Sequence, residues 1–199
     1  MESTGNQEFG INARIARQVR TLRTARQLTL DALARRAGVS KSMISLIERG
    51  EASPTAVILE KLAGGLGTPL ATLFAGVAAA SEPQPLVRRS AQMEWRDPGS
   101  GYLRRTLSPP GWPSPIQLVE IEFPPGACVA YETGRRDVAP QQQIWVIQGR
   151  IDVRLGNDRY QLAKGDCMAM VLDRPIVYSN ETSSLARYVV AIASTQTHE

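Results

Sequence analysis

The apolar positions change period once along the chain. From Ile11 to Phe74 they recur near every 3.6 residues, at Ile15, Val19 and Leu22, then at Leu30, Leu33, Ala34 and Ala37. That spacing lines one face of a helix. Breaks stand at Thr29, at "GVS" (38–40), at "RGEASP" (49–54) and at "GLGTP" (65–69). Together they predict five short helices at about 10–26, 30–37, 41–48, 55–64 and 70–75. After about Leu86 the period becomes two, as successive strand side chains take opposite faces. The runs "IQLVEIEF", "QIWVIQGRIDVRL", "RYQLA", "CMAMVL" and "LARYVVAIA" are separated by Gly, Pro, Asn and Asp. Short strands at this spacing, with no helical pattern between them, predict an antiparallel barrel or sandwich. The fold class is therefore multidomain, α then all-β. An N-terminal tail occupies 1–10, a helical domain 11–75, the linker "GVAAASEPQP" 76–85, a β domain 86–195 and a C-terminal tail 196–199.

Charge sharpens this division. Of 23 Lys and Arg and 19 Asp and Glu, ten and six fall in residues 1–75, so the whole net charge of +4 belongs to the helical part. That asymmetry points to a polyanion as that domain's partner. The chain has 199 residues, 43% of them hydrophobic, which excludes a disordered chain. No apolar run approaches the ~18–20 residues of a membrane span, so no membrane partner is expected. "MESTGNQEFG" has neither a basic nor an apolar signal region. Cys128 and Cys167 lack CxxC spacing, which fits a reducing cytoplasm and predicts two small buried hydrophobes.

The segment "LTLDALARRAGVSKSMISLIERG", Leu28 to Gly50, carries the chemistry of the first part. Gly38 suits a turn of positive φ, and Ser40 suits the cap of the helix that follows. Ala34 is small where two helices cross, and Val39, Ile44 and Ile47 supply apolar contacts that set the crossing angle. This is the sequence form of a helix-turn-helix, whose second helix enters a DNA major groove. The stretch resembles the Cro and phage-repressor type helix-turn-helix family, also called the xenobiotic-response-element type. The resemblance rests on Leu22 and Arg23, "LARRAGVS", "ISLIERG", Pro54, "LEKLAGGLG" and "LATLF". It implies a five-helix DNA-binding domain. Lys41, Ser42, Ser45 and Leu46 map to groove-facing positions, with Ser40 beside them. Arg49, Thr29 and Thr55 map to phosphate contacts that set register. Arg23 and Glu48 map to a scaffold ion pair. Gln and Asn are missing from the first groove-facing positions, which disfavours bidentate adenine reading there and leaves the operator sequence open. Members bind as dimers, so a homodimer on a palindromic double-stranded DNA operator is implied.

In the β part, "PPGACVAYE", the run from Gln141 to Met170 and "DRPIVYSN" resemble a small cupin barrel. The markers are Gly126, Gly149, the turn Leu162 to Asp166, Pro175 and Asn180. Metal-binding cupins use histidines and a glutamate. Here the glutamate position is Gln142, the paired-histidine segment reads "RRDV" (135–138), and the second-motif histidine is Ile176. The only histidine is His198, near the end of the chain. No His-based metal site and no cofactor are therefore expected. By alternation Gln142, Ile144 and Val146 share one face and Gln143, Trp145 and Ile147 the other. The family layout turns the first set inward, beside Ile176, Tyr178 and Asn180, with Tyr131, Met168 and Met170 as further lining residues. An apolar interior with a few hydrogen-bonding groups suits a small ligand, while the same residues also suit a filled core. Arg135 and Arg136 are read as solvated loop residues, with bidentate binding of a carboxylate or phosphate ligand as the alternative.

These readings predict a cytoplasmic, non-enzymatic, dimeric transcription regulator with a metal-free cupin that binds a small-molecule effector. Two alternatives stay open. The cupin is a dimerisation module without effector, or it is a metal-independent enzyme using Tyr131 or Tyr178.

Overall fold

The computed structural model describes residues 3–74, 83–132 and 141–193. It divides into two compact units at Pro83 and Gln84. The RRDV segment, most of the linker and His198 lie outside the described residues.

The first unit holds five helices: α1 Ser3–Ala25, α2 Leu30–Ala37, α3 Lys41–Glu48, α4 Ala56–Gly65 and α5 Leu70–Phe74. Four follow the predicted spans closely, because side-chain caps start three of them. Thr29, Ser40 and Thr55 stand in extended backbone, and their hydroxyl oxygens accept from the amides of Ala32, Met43 and Ile58. Each cap satisfies one of the orphan donors at a helix start. Gly38 ends α2 at φ 63°, the left-handed conformation that glycine adopts without a Cβ penalty. The first helix differs from expectation: residues 3–10 are helical, not a tail. A helix once nucleated gains one bond per residue, so a polar extension without proline can continue it while showing no apolar period.

Ile15, Val19, Leu33, Ile44, Ile47, Leu59, Leu62 and Leu73 form the fully buried centre of this unit. Each such side chain contributes roughly 1.5–3 kcal/mol on leaving water. A close helix approach falls at Ala37. A Cβ placed on Gly65 would come within 2.8 Å of the Ala37 Cβ. The missing side chain at the end of α4 thus lets it lie against α2.

The second unit is a small antiparallel barrel of two sheets. Its strands are β1 Glu94–Arg96, β2 Leu103–Thr106, β3 Ile116–Phe123, β4 Cys128–Tyr131, β5 Gln141–Gln148, β6 Arg150–Leu155, β7 Asp158–Ala163, β8 Cys167–Val171, β9 Ile176–Ser179 and β10 Ala186–Ala193. One sheet has the order β1-β2-β3-β10-β5-β8 and the other β4-β9-β6-β7. β1 and β2 fall where the sequence shows no alternating run. β4 and β9 fall in segments that only the cupin resemblance marked. Register puts Val119, Ile121, Tyr188, Val190, Ile144 and Val146 on one face of the larger sheet, all of them buried. The cysteines depart from expectation: Cys128 and Cys167 are both exposed thiols. Strand alternation explains this, since Cys128 precedes the buried Val129 and Cys167 pairs with the exposed Trp145. No helix among the described residues is long and apolar enough to cross a membrane.

Gly149 closes the turn between β5 and β6 at φ 74°, and a Cβ there would stand 2.7 Å from the Leu185 carbonyl oxygen. Gly149→Ala is therefore expected to cost the β unit about 2–4 kcal/mol, from backbone strain and the clash together. Denaturant unfolding followed by barrel tryptophan fluorescence should show the loss, with the helical unit unaffected.

Candidate functional site

The exposed side of α3 presents Lys41, Ser42 and Arg49 to solvent, with Ser45 half-buried and Ile44 and Ile47 beneath. Its polar groups are already engaged with one another. Lys41 Nζ donates to Asp31 Oδ2 at 2.8 Å, both side chains being more than half exposed. Arg49 grips Glu51 with two bonds, of 2.7 and 2.8 Å, and also donates to the Ser45 hydroxyl. That bidentate pair raises the Arg49 guanidinium and lowers the Glu51 carboxyl. Ser40 and Ser42 hydroxyls lie 3.2 Å apart. Exposed ion pairs of this kind contribute little in water and exchange readily for a stronger anion. Leu46, also half-buried, stands on the same helix.

Thr29, Ser40 and Thr55 are all helix caps. A cap hydroxyl accepts through its oxygen and keeps its own proton to donate. The cap geometry therefore leaves each of the three able to bond a phosphate oxygen near a helix N-terminus.

Arg23 and Glu48 stand together. Arg23 Nε donates to Glu48 Oε1 at 2.6 Å, Nη2 donates to Oε2 at 2.7 Å, and Nη1 donates to the Leu28 carbonyl at 2.9 Å. The side chains are 14% and 7% exposed. The hydrogen bond that Arg23 donates to Glu48 raises the guanidinium further, against the opposing effect of burial. The pair ties α1 to the end of α3 through a planar, two-bond fork.

In the barrel, the predicted inward residues divide into two groups. Ile144, Val146 and Ile176 are buried in apolar packing, and Met168 pairs with Ile144 across β8. Gln142, Met170, Tyr178 and Tyr131 form a connected polar group. The Gln142 amide donates to the Tyr178 hydroxyl and lies 3.4 Å from the Met170 sulfur. The rings of Tyr178 and Tyr131 meet edge to face, with centroids 6.1 Å apart, and the Tyr131 hydroxyl reaches that of Tyr102 at 3.3 Å. The amide that the cupin resemblance sets at a metal-ligand position is thus bonded to a phenol. Among the described residues, no three His, Cys, Asp or Glu side chains are grouped so as to hold a metal ion. Asn180 takes a different part from the expected one. Its amide donates to the carbonyls of Phe123 and Ser184 and its oxygen accepts from Thr182, so it locks the turn before β10.

Three interior residues escaped the sequence reading: Tyr102, Arg104 and Tyr188. All are buried. Burial holds the Tyr131 and Tyr188 hydroxyls well above the usual phenol range, with neighbouring tyrosines adding to it. Burial also lowers the Arg104 guanidinium to about 10. Nothing in "GYLRRTLS" alternates clearly enough to show which arginine turns inward.

Residues 19–73 match the family model described as helix-turn-helix. The chain carries a helix-turn-helix domain followed by an antiparallel β-barrel. It is 29% identical over 163 residues to the HTH-type transcriptional regulator SutR of Escherichia coli (strain K12), covering 81% of this chain and 84% of that one. It is 26% identical over 156 residues to the HTH-type transcriptional regulator PuuR of the same organism, covering 77% and 80%. Among solved structures, the HTH_3 family transcriptional regulator from Vibrio cholerae superposes with a TM-score of 0.74 at 26% identity, over 95% of this chain and 99% of that one. That match runs through both units of the regulator.

In this regulator, Glu48→Ala leaves a largely buried guanidinium without its carboxylate. The expected cost is about 2–4 kcal/mol in the helical unit. A double-mutant cycle with Arg23→Ala should return a coupling above about 1 kcal/mol, against the few tenths expected of an exposed pair.

Proposed function

We propose that this regulator binds a palindromic operator as a homodimer and that its barrel takes a small-molecule effector which alters operator affinity. The observation that carries the DNA reading is the outer side of α3. Ile44 and Ile47 anchor the helix, and Lys41, Ser42 and Ser45 stand on its accessible side. Lysine donates to guanine O6 and N7, and serine donates or accepts at several base edges. Arg49, Thr29 and Thr55 supply phosphate contacts, while Ser40 serves α3 first as its cap. Two such helices bind half-sites about 34–36 Å apart on one duplex face. The setting is the cytoplasm of a bacterial cell, where DNA and thiol-reducing conditions occur together.

Dimerisation finds its support on the outer face of the six-stranded sheet. Ile116, Leu118, Trp145 and Val171 are exposed there, Trp145 at 53%. Register aligns them in adjacent rows through Val189, Ala191 and Ala193. A cavity of about 400 Å³ opens at the end of this face, lined by Ile116, Gln141, Gln143, Val171 and neighbours. An exposed apolar patch bordered by charged residues is the usual form of a protein interface. The border here is a charged network. Arg105 donates to Glu94 at 2.7 Å, and Glu120 accepts from both Arg105 and Arg187. Burial pushes the Glu120 carboxyl up, but the two arginines outweigh it and hold it below its ordinary value.

The effector reading rests on the connected polar group Gln142–Tyr178–Tyr131 within an apolar wall. An effector changes operator affinity only by its differential binding to two states of the dimer. The second reading, a cupin that only dimerises, is favoured by the complete burial of Ile144, Val146 and Ile176. Fluorescence anisotropy on a labelled duplex should give log affinity falling with log salt at a slope of about −4 or steeper, from released counterions. A slope near zero removes the DNA reading. Lys41→Ala is expected to weaken operator binding about tenfold, the value of one good base or phosphate contact. Trp145→Glu should shift sedimentation from dimer to monomer with the far-ultraviolet spectrum unchanged.

A further inference from the structure

Both cations of α3 are held by carboxylates from outside the helix. Lys41, its first residue, donates from Nζ to Asp31 Oδ2 on α2 at 2.8 Å, with the side chains 57% and 58% exposed. Arg49, its C-cap, grips Glu51 through Nε at 2.7 Å and Nη2 at 2.8 Å, and donates from Nη1 to the Ser45 hydroxyl. Other exposed arginines of this unit differ. Arg17, Arg20, Arg35 and Arg36 have no ion-pair partner among the described residues. The excess positive charge is thus uncovered on α1 and α2, while the outer side of α3 is close to neutral.

An exposed ion pair adds little to folding, so stability does not account for these two. A carboxylate beside a DNA-contacting cation also has a cost, because it repels phosphate. Its effect depends on which partner the cation takes. An ammonium has three hydrogens, and with one on Asp31 two remain for guanine O6 and N7. A phosphate instead draws the whole cation toward the DNA backbone and must displace the carboxylate. Arg49 likewise keeps one hydrogen on each Nη while Glu51 and Ser45 hold the other three. Specificity is a difference of affinities, and a group that penalises the wrong partner raises it.

We propose that Asp31 and Glu51 are positioning residues that set the DNA specificity of this domain. They act through Lys41 and Arg49, holding the two cations off the phosphates of arbitrary DNA and keeping Lys41 aimed at base edges. The favoured partner is double-stranded DNA with guanine at the position that Lys41 reads. In the unbound protein each pair also weakens the long-range attraction to a polyanion, which shortens residence on wrong sites. This proposal rests on the DNA reading above and adds the residues that set the ratio of specific to non-specific binding.

The test uses the full-length protein, the duplexes it selects from a randomised library, and an unrelated random-sequence duplex. Asp31→Asn and Glu51→Gln are each expected to tighten binding to the random duplex about three- to tenfold. The log–log salt slope on that duplex should steepen by about 0.9, as one more phosphate contact is made. Binding to the selected duplexes should stay unchanged, so the specificity ratio falls by the same factor. Asp31→Glu, which keeps the carboxylate, should retain the wild-type ratio. Asp31→Asn should lose its effect in a Lys41→Met background, and Glu51→Gln in an Arg49→Met background. A change of net charge alone would give the same gain in both backgrounds. The proposal is overturned if either carboxylate variant leaves random-duplex affinity unchanged, or if selected and random duplexes gain equally. A gain that persists without the paired cation, or selected half-sites without guanine, also overturns it and leaves the DNA reading standing. Selection of no sequence together with a flat salt response removes the DNA reading itself.

Discussion

The pairing of β10 with two neighbours at once is the constraint on which the barrel depends. It lies between β3 and β5 along its whole length. Its register sets which residues of three strands point inward. A shift of one residue would turn Tyr188, Val190, Gln142 and Ile144 to solvent and bring Trp145 and Glu120 inside. Gly149 and the turn at Gly165 hold that register from the side. The Gly165 amide donates to the Val146 carbonyl at 2.9 Å, and Gly149 lets the chain pass against Leu185 and Ala186. The polar interior and the apolar outer face are two consequences of one alignment.

The helical unit has a comparable tie in Arg23 and Glu48. Capping defines each helix singly, and apolar burial brings the helices together without strict direction. The two-bond ion pair adds direction, since a planar fork tolerates little rotation. It therefore helps to set the angle at which α3 is presented. The same helix carries only weak, exposed ion pairs on its outer side, such as Lys41 with Asp31. Strong contacts hold the scaffold, and exchangeable ones occupy the outer side of α3.

Much of this was legible before any coordinates. Cap residues and the 3.6 period marked α2 to α5 because those features act within a few residues of chain. The start of α1 was not legible, since helix extension through Ser3–Gly10 needs no apolar stripe. β1 and β2 were missed for a related reason. At three and four residues they are too short to show alternation, and they form only because β3 offers an edge to β2 and β2 in turn to β1. Arg104 was hidden with them, as two adjacent arginines in a polar stretch read as solvated. The cysteines were misjudged because residue type was weighed above strand parity.

By itself, the amino-acid sequence determined the division into helical and β parts, the capped helix-turn-helix, and a β part with no histidine before His198. Those are matters of residue type and local spacing, which need no folded partner. Only the tertiary structure decided which of two neighbouring arginines faces the interior, and that Gln142 bonds to Tyr178 thirty-six positions away. It also decided that Trp145 stands exposed beside Ile116, Leu118 and Val171. Each of these depends on the register between strands distant in sequence, and register is set by the whole sheet rather than by any one run.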